Sequence, residues 1–380
     1  MKKILLLIVT CIFWFSLYLY IPFLTPYLIS LGVSATVTGI IFGMHSFTQL
    51  VLRFPVGIKS DALGKQKPFI VLGLLFAALA AVIMYFFPSP VMLFVGNVVS
   101  GFASTMYVAF TVLYAKYYGK TETSRAMGTI GAVVEAGIFA AFLIGGFLYQ
   151  KSGIRILFLA SFLVGVAGFI VSLFVKEAPA KKVTIKKGDL LVIIKNRELL
   201  VSSILCILVK AIVFATAFSF TPKIAQDIGA GGIETGVINA LFIAASVLGS
   251  LFITTKAGTR LGNTRMTVIG FLILGGYAAA VPFVHSIPVL MVVQFIGGLG
   301  YASLTAIFMA NAVRHLTPDQ KAAGMGLYQA LYSVGSALGP VMLGIFADAF
   351  SYTAGFLVIA GISAAGLLLT LFAGRKRLMD

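Results

Sequence analysis

Charge is what this sequence has least of. Only 10% of its 380 residues are Asp, Glu, Lys or Arg. A soluble domain carries about 25%, so a water-facing globular chain is excluded. Cysteine is nearly absent: Cys11 and Cys206 both fall in apolar runs, which leaves no disulfide framework and no metal spacing. Three histidines are too few for a His-built metal centre. There is no phosphate loop of the G-x-x-x-x-G-K-[ST] type, no H-E-x-x-H and no Cys/His cluster. Hydrolytic, metal and nucleophilic chemistry therefore lack their parts, so no enzyme, cofactor or metal is expected. Acids are the scarcer charge, 11 against 28 bases.

What is abundant is apolar sequence. Sixty per cent of the residues are hydrophobic. A bilayer core about 30 Å thick needs about 20 apolar residues per helix. Twelve such stretches lie near 4–30, 36–58, 67–87, 91–117, 123–149, 155–176, 199–225, 232–255, 266–285, 288–313, 321–348 and 352–373. Each is expected to be helical, because backbone polar groups in lipid must be satisfied within the segment. The first run, after Lys2-Lys3, is too long for a secretion signal and no small-residue cleavage site follows it, so it is read as a retained helix.

The bases are distributed unevenly. All but five of the 28 Lys and Arg residues lie at the chain ends or in alternate loops, those before spans 3, 5, 7, 9 and 11. Lys151, Arg155 and Lys223 lie on the opposite side, and Arg53 and Lys210 lie within spans. The positive-inside rule then places both termini in the cytoplasm and the protein in the cytoplasmic membrane. Attraction to anionic lipid accounts for a pI near 9.9 better than nucleic-acid binding does.

The chain also repeats itself. Thr25-Pro26 returns as Thr221-Pro222, Thr38-Gly39 as Thr235-Gly236, Asn97 and Gly101 as Gln294 and Gly298, Gly64 as Gly262, and Ala126-Met127-Gly128 as Gly324-Met325-Gly326. Tandem halves of this kind mark secondary transporters, whose site sits near the midplane between the repeats. The expected organisation is a six-helix bundle over 1–176, a cytoplasmic linker over 177–198 and a second bundle over 199–380. In the linker, Asp189–Ile194 reads as a short interfacial helix.

Between spans 2 and 3 the chain reads Gly57-Ile-Lys-Ser-Asp61-Ala-Leu-Gly64-Lys65-Gln-Lys67-Pro68. This resembles the major facilitator superfamily loop G-x-x-x-D-[RK]-x-G-x-[RK]-[RK]. Gly57, Asp61, Gly64 and Lys67 fill their positions; Ala62 departs, and Lys65 sits one place off. The resemblance implies an all-α membrane fold of two pseudo-symmetric six-helix bundles. It also implies a loop that latches helix 2 to helix 11 in the outward-open state. Gly57 would permit close packing on helix 11, Asp61 would accept hydrogen bonds from a neighbouring helix terminus, and Gly64 would make the turn. Arg53, one turn below, would snorkel or support the latch. The second-half counterpart, Thr255 to Arg265, has lost the acid, so the latch should be one-sided. Two exporter motifs fail: Asn97 stands where helix 4 often carries Arg, and Ala141-Phe142-Leu-Ile-Gly145-Gly146 lacks the Gly-Pro of helix 5.

Ionisable groups at mid-bilayer are functional candidates by default. Glu135 lies about 18 Å into span 5 and Lys210 about 16 Å into span 7, at 1.5 Å per residue. Glu135 could carry a coupling proton, with Lys210 as counter-charge or as the dock for an anion; a fixed ion pair between them, or a Glu135 turned toward an internal water, is the bland alternative. His45 is a weaker proton candidate, since a lone buried histidine is usually hydrogen-bonded core. The resemblance puts helices 1, 4, 7 and 10 around a cavity. Faces through Trp14 (Thr10, Tyr18, Thr25), Asn97 (Ser100, Ser104, Thr111) and Gln294 (Gly298, Tyr301, Thr305) would line it. The substrate-binding set is thus Trp14, Tyr18, Asn97, Lys210, Gln294 and Tyr301. The expected function is alternating-access transport of a small organic solute, with proton-coupled efflux first and exchange or uptake of an organic anion at Lys210 second. Lipid translocation or non-transporting sensing comes third. Lipids, the solute and H⁺ are the expected partners, and a monomer the expected state.

Overall fold

The computed structural model describes residues 2–118, 122–178, 192–253, 261–317 and 320–375. Among them every regular element is helical. Eleven helices are long and apolar enough to cross a membrane. One of the eleven, Thr123–Ser172, is interrupted at Gly153, whose φ of +70° leaves the helical region. It is therefore two crossings, and the total is twelve, as the apolar runs predict. We number them α1 (Lys2–Ser30), α2 (Ala35–Leu63), α3 (Lys67–Phe86), α4 (Pro90–Lys116), α5 (123–152), α6 (154–172), α7 (Arg197–Asp227), α8 (Gly232–Ile253), α9 (Asn263–Phe283), α10 (Ile287–Ala312), α11 (Lys321–Ala349) and α12 (Tyr352–Arg375).

Local chemistry sets the ends. Ser89 accepts the Met92 N–H at the start of α4, where Pro90 occupies the first turn, and Asn196 accepts the Leu199 N–H at 2.9 Å to start α7. These satisfy amides that have no partner inside the helix. Gly64 (φ +65°) and Gly262 (φ +75°) turn the chain into α3 and α9, so the repeat extends to backbone conformation. The same holds for the lead helices. α1 breaks at Leu19–Tyr20, and α7 widens into a π-helical turn at Thr216–Phe220. Such wide turns are frequent at functional positions. In the linker, residues 192–195 are helical, while Asp189 and the rest of 179–191 lie outside the described residues.

The two halves meet mainly along α2–α11 and α5–α8. Glycine makes both seams close. A Cβ on Gly39 or Gly43 would strike the carbonyls of Pro340 and Ala337 on α11, and one on Gly344 would strike that of Ala35. On the other seam a Cβ on Gly146 would lie 2.7 Å from the Gly232 carbonyl and one on Gly236 2.5 Å from that of Phe142. Backbones that approach this closely gain dispersion contacts, which is how helices associate in lipid. All these contacts fall at one end of the helices, opposite the basic loops. Toward the basic face, Gly128 and Gly131 on α5 and Gly326 on α11 would meet nothing within 4 Å. The molecule is therefore closed on one face and splayed open toward the basic one.

Candidate functional site

At mid-depth the halves enclose a tyrosine-lined space. Tyr18 (α1), Tyr107 (α4), Glu135 (α5), Lys210 (α7), Tyr301 (α10) and Tyr332 (α11) are each partly exposed, although they lie far from either helix end. Trp14 packs on Tyr18 and Tyr107 with ring centres 5.4 and 5.1 Å apart. Lys210 Nζ donates to the Tyr301 hydroxyl at 2.6 Å. It also faces the rings of Tyr301 and Tyr332 at 4.9 Å and that of Phe214 at 5.7 Å. Such cation–π contacts hold a desolvated ammonium where a lone charge would be costly.

No carboxylate lies within ion-pair distance of Lys210 or Arg53 among the described residues. Glu135 does not pair with Lys210, and its Oε2 is buried without a hydrogen-bond partner. The fixed ion pair considered from the sequence is therefore absent. Arg53 neither reaches the membrane surface nor joins the loop. It is 3% exposed and donates from Nη1 to the Tyr332 hydroxyl at 3.3 Å. Its side chain turns inward because α11 presents an acceptor there.

The space ends, away from the basic face, at an aromatic plug. Phe218, in the wide turn of α7, packs on Phe214, Phe242, Tyr18 and Phe142 with ring centres 5.3–6.2 Å apart. Just beyond, Thr25 and Ser219 share a hydrogen bond of 3.1 Å across the halves. A cleft lined by Tyr18, Phe42, His45, Asn97, Phe214 and Phe218 opens beside the plug.

The polar face of α4 is not free lining. Asn97 donates to the Leu93 carbonyl. Ser100 donates to the Asn97 carbonyl and meets His45 Nδ1 at 2.7 Å, while Ser104 meets Nε2 at 3.1 Å. Having given its proton to Asn97, Ser100 receives that of Nδ1, and Nε2 takes the proton of Ser104. Both nitrogens of His45 are thus occupied, the hydrogen-bonded core arrangement. Gln294 is fully buried with neither amide atom bonded. It shares a helix face with Gly298, whose Cβ position abuts the Phe242 carbonyl of α8, so at the level of Gln294 that face packs on α8. Thr10 is bonded to its own helix at Leu6. The helical-face rule grouped residues by spacing and could not see that α8 covers Gly298 and that His45 takes up Ser100 and Ser104.

The loop after α2 is fastened within its own half. Lys67 Nζ donates to the Leu173 carbonyl at 2.6 Å, and Glu177 Oε2 accepts the Gln66 and Lys67 amides at 2.9 Å. Lys65 is exposed. A Cβ on Gly57 would meet only Val108 of α4, at 3.8 Å, so the expected packing of Gly57 on α11 is not made in this basic-face-open arrangement. The side chain of Asp61 lies outside the described residues, as do residues 254–260 of the second-half counterpart.

Comparison with known proteins agrees with this architecture. The sequence model of the Major Facilitator Superfamily matches residues 6–223 and again 204–378. The chain belongs to the Major Facilitator Superfamily. It is similar to an MFS-type transporter of Methanocaldococcus jannaschii, 26% identical over 368 residues that cover 90% of this chain and 91% of that protein. It is also similar to the quinolone resistance protein NorA of Staphylococcus aureus, 23% identical over 375 residues covering 94% and 93%. Among solved structures, an inward-facing bacterial homologue of the human lysosomal transporter Spinster superposes with a TM-score of 0.81 at 14% identity, covering 98% of this chain and 96% of that one. The nucleoside transporter NupG gives 0.79 at 12% identity, covering 98% of each. The MFS fold and its two halves follow, and the chain is a multi-pass membrane transporter, not an enzyme.

The structure brings five sequence candidates of this MFS protein, Trp14, Tyr18, Glu135, Lys210 and Tyr301, into one space. Tyr107, Phe214, Phe218 and Tyr332 were missed. Tyr332 carried a signal: it lies on α11, where only packing was expected, but an unpaired Arg53 on α2 called for a partner across that seam.

Proposed function

We propose that this chain is a secondary transporter that exports a small amphipathic organic solute across the cytoplasmic membrane in exchange for protons. The two halves rock around the tyrosine-lined space, and the basic face is cytoplasmic. Glu135 is the coupling site. The observation that carries this reading is its setting: a carboxyl at mid-depth, partly exposed to the central space, with Oε2 unbonded and no cation within 4 Å among the described residues. A paired carboxylate would be locked in one charge state. An unpaired one gains and loses a proton as the space opens to either side. NorA, by its printed name a quinolone resistance protein, is consistent with export.

The test is transport in proteoliposomes with an imposed pH gradient. The wild type is expected to accumulate an aromatic solute only while the gradient lasts. Glu135→Gln should abolish gradient-driven accumulation yet keep downhill exchange. Gradient-driven accumulation at the wild-type rate in Glu135→Gln would remove Glu135 from the mechanism.

A further inference from the structure

Around Lys210 the central space holds more donors than acceptors. Lys210 has three N–H donors, and one is spent on Tyr301. The Tyr301 oxygen, having accepted from Lys210, points its own O–H elsewhere. The Tyr332 oxygen accepts from Arg53 in the same way. Neither hydroxyl donates to a protein acceptor among the described residues. Two ammonium protons and two phenol protons are therefore left without an acceptor on groups whose rings face the same Nζ at 4.9 Å. Two cations, Lys210 and Arg53, stand against one acid, Glu135, which touches neither within 4 Å. Trp14 Nε1 and Arg53 Nε are further buried donors without partners. Unmatched donors and unmatched positive charge in a low-dielectric space are costly until an acceptor arrives.

We propose that this site receives the carboxylate of an aromatic acid, at Lys210 Nζ and the hydroxyls of Tyr301 and Tyr332. The proposal rests on the central space being the transport site. The carboxylate is acceptor-only and supplies the missing negative charge. The aromatic body lies against Trp14, Tyr18 and Tyr107. Arg53 is a positioning residue: buried behind Tyr332, it orients that hydroxyl and adds charge without touching the ligand. At Lys210, Tyr301 and Tyr332 an amine would meet donors and like charge, and a neutral amide would bring its own N–H donors.

The single tryptophan of the chain, Trp14, makes binding directly visible. Purified protein is titrated with phenylacetate, phenylacetamide and phenethylamine while Trp14 fluorescence is followed. Phenylacetate should change the signal saturably. The amide should bind about tenfold more weakly, the value of one charged hydrogen bond, and the amine more weakly still. Lys210→Met should reduce phenylacetate binding to the level of the amide, while Lys210→Arg should keep the preference for the carboxylate. Tyr332→Phe and Arg53→Gln should each weaken binding, and the double variant no further than Tyr332→Phe alone. Equal or tighter binding of amide or amine would overturn the acid assignment while leaving the central space as the transport site. So would unchanged phenylacetate affinity in Lys210→Met. Failure of all three probes to shift the Trp14 signal would also overturn the acid assignment, and the proteoliposome assay of Glu135→Gln then judges the transport reading separately.

Discussion

At the scale of single residues, the same amino acid does opposite things in different helices. Gly335 on α11 faces α7 so closely that an added Cβ would strike the Ile207 carbonyl and lie 2.8 Å from its carbon. Gly276 on α9 would meet nothing within 4 Å. Gly335→Ala should therefore force two backbones apart, at a cost of about 1–3 kcal/mol, and lower the thermal midpoint by several degrees. Gly276→Ala should leave it unchanged or raise it slightly, since alanine is the better helix former by up to about 1 kcal/mol. Thermal unfolding of the two variants in one detergent tests the pair, and equal shifts would contradict the seam. Sequence alone could not separate these glycines, because both sit in apolar helices with similar neighbours. It could single out Glu135 and Lys210, because a charge inside a long apolar run is costly. Arg53 was placed by its distance from the span end, and that measure is blind to Tyr332, 279 residues away.

At the scale of elements, the closed face is held by two helix caps that mirror each other. Asp348, at the end of α11, accepts the Ala35 and Thr36 amides at 2.9 and 2.8 Å, at the start of α2. Gln150, at the end of α5, accepts the Gly232 amide at the start of α8. The two caps are related by the repeat, 198 positions apart. The anionic cap is favoured further by the positive end of the helix dipole. Loss of such a cap costs about 1 kcal/mol, within a range of about 0.5–2, and the cost falls only on the state in which this face is closed. Asp348→Ala should thus raise the population open on this face about fivefold. The readout is maleimide labelling of a Ser219→Cys reporter, in a background lacking Cys11 and Cys206, with reagent added from the face opposite the basic loops. Faster labelling is expected in Asp348→Ala, and an unchanged rate would mean that the cap does not hold the closed state. The sequence reading looked for a latch in the loop after α2 because the motif there is local and contiguous. The caps join residues more than 80 and 300 positions apart, and no spacing rule reaches them.

At the scale of the whole molecule, the number of crossings, the repeat and the basic face were legible, since each is a running property of the chain. Which face is closed was not, because it depends on how two rigid halves lean on each other. The seams imply a pivot. Both α2–α11 and α5–α8 are tight at one end and lack such contacts toward the other, while Lys210, Tyr301 and Tyr332 sit at mid-depth, where the Arg53–Tyr332 bond still joins the halves. If the halves rock about that level, opening one face must close the other. Spin labels make this measurable in one sample set. A pair at Ser30 and Phe283 spans the halves on the closed face, and a pair at Lys65 and Leu261 spans them on the basic face; all four positions are exposed. In Asp348→Ala the first distance distribution should gain a longer component, and the second a shorter one of matching population. The opposed signs are the signature of rocking. Lengthening of the first pair with no change in the second would instead mean that the cap governs only a local opening of α2, and the two halves would not move as units.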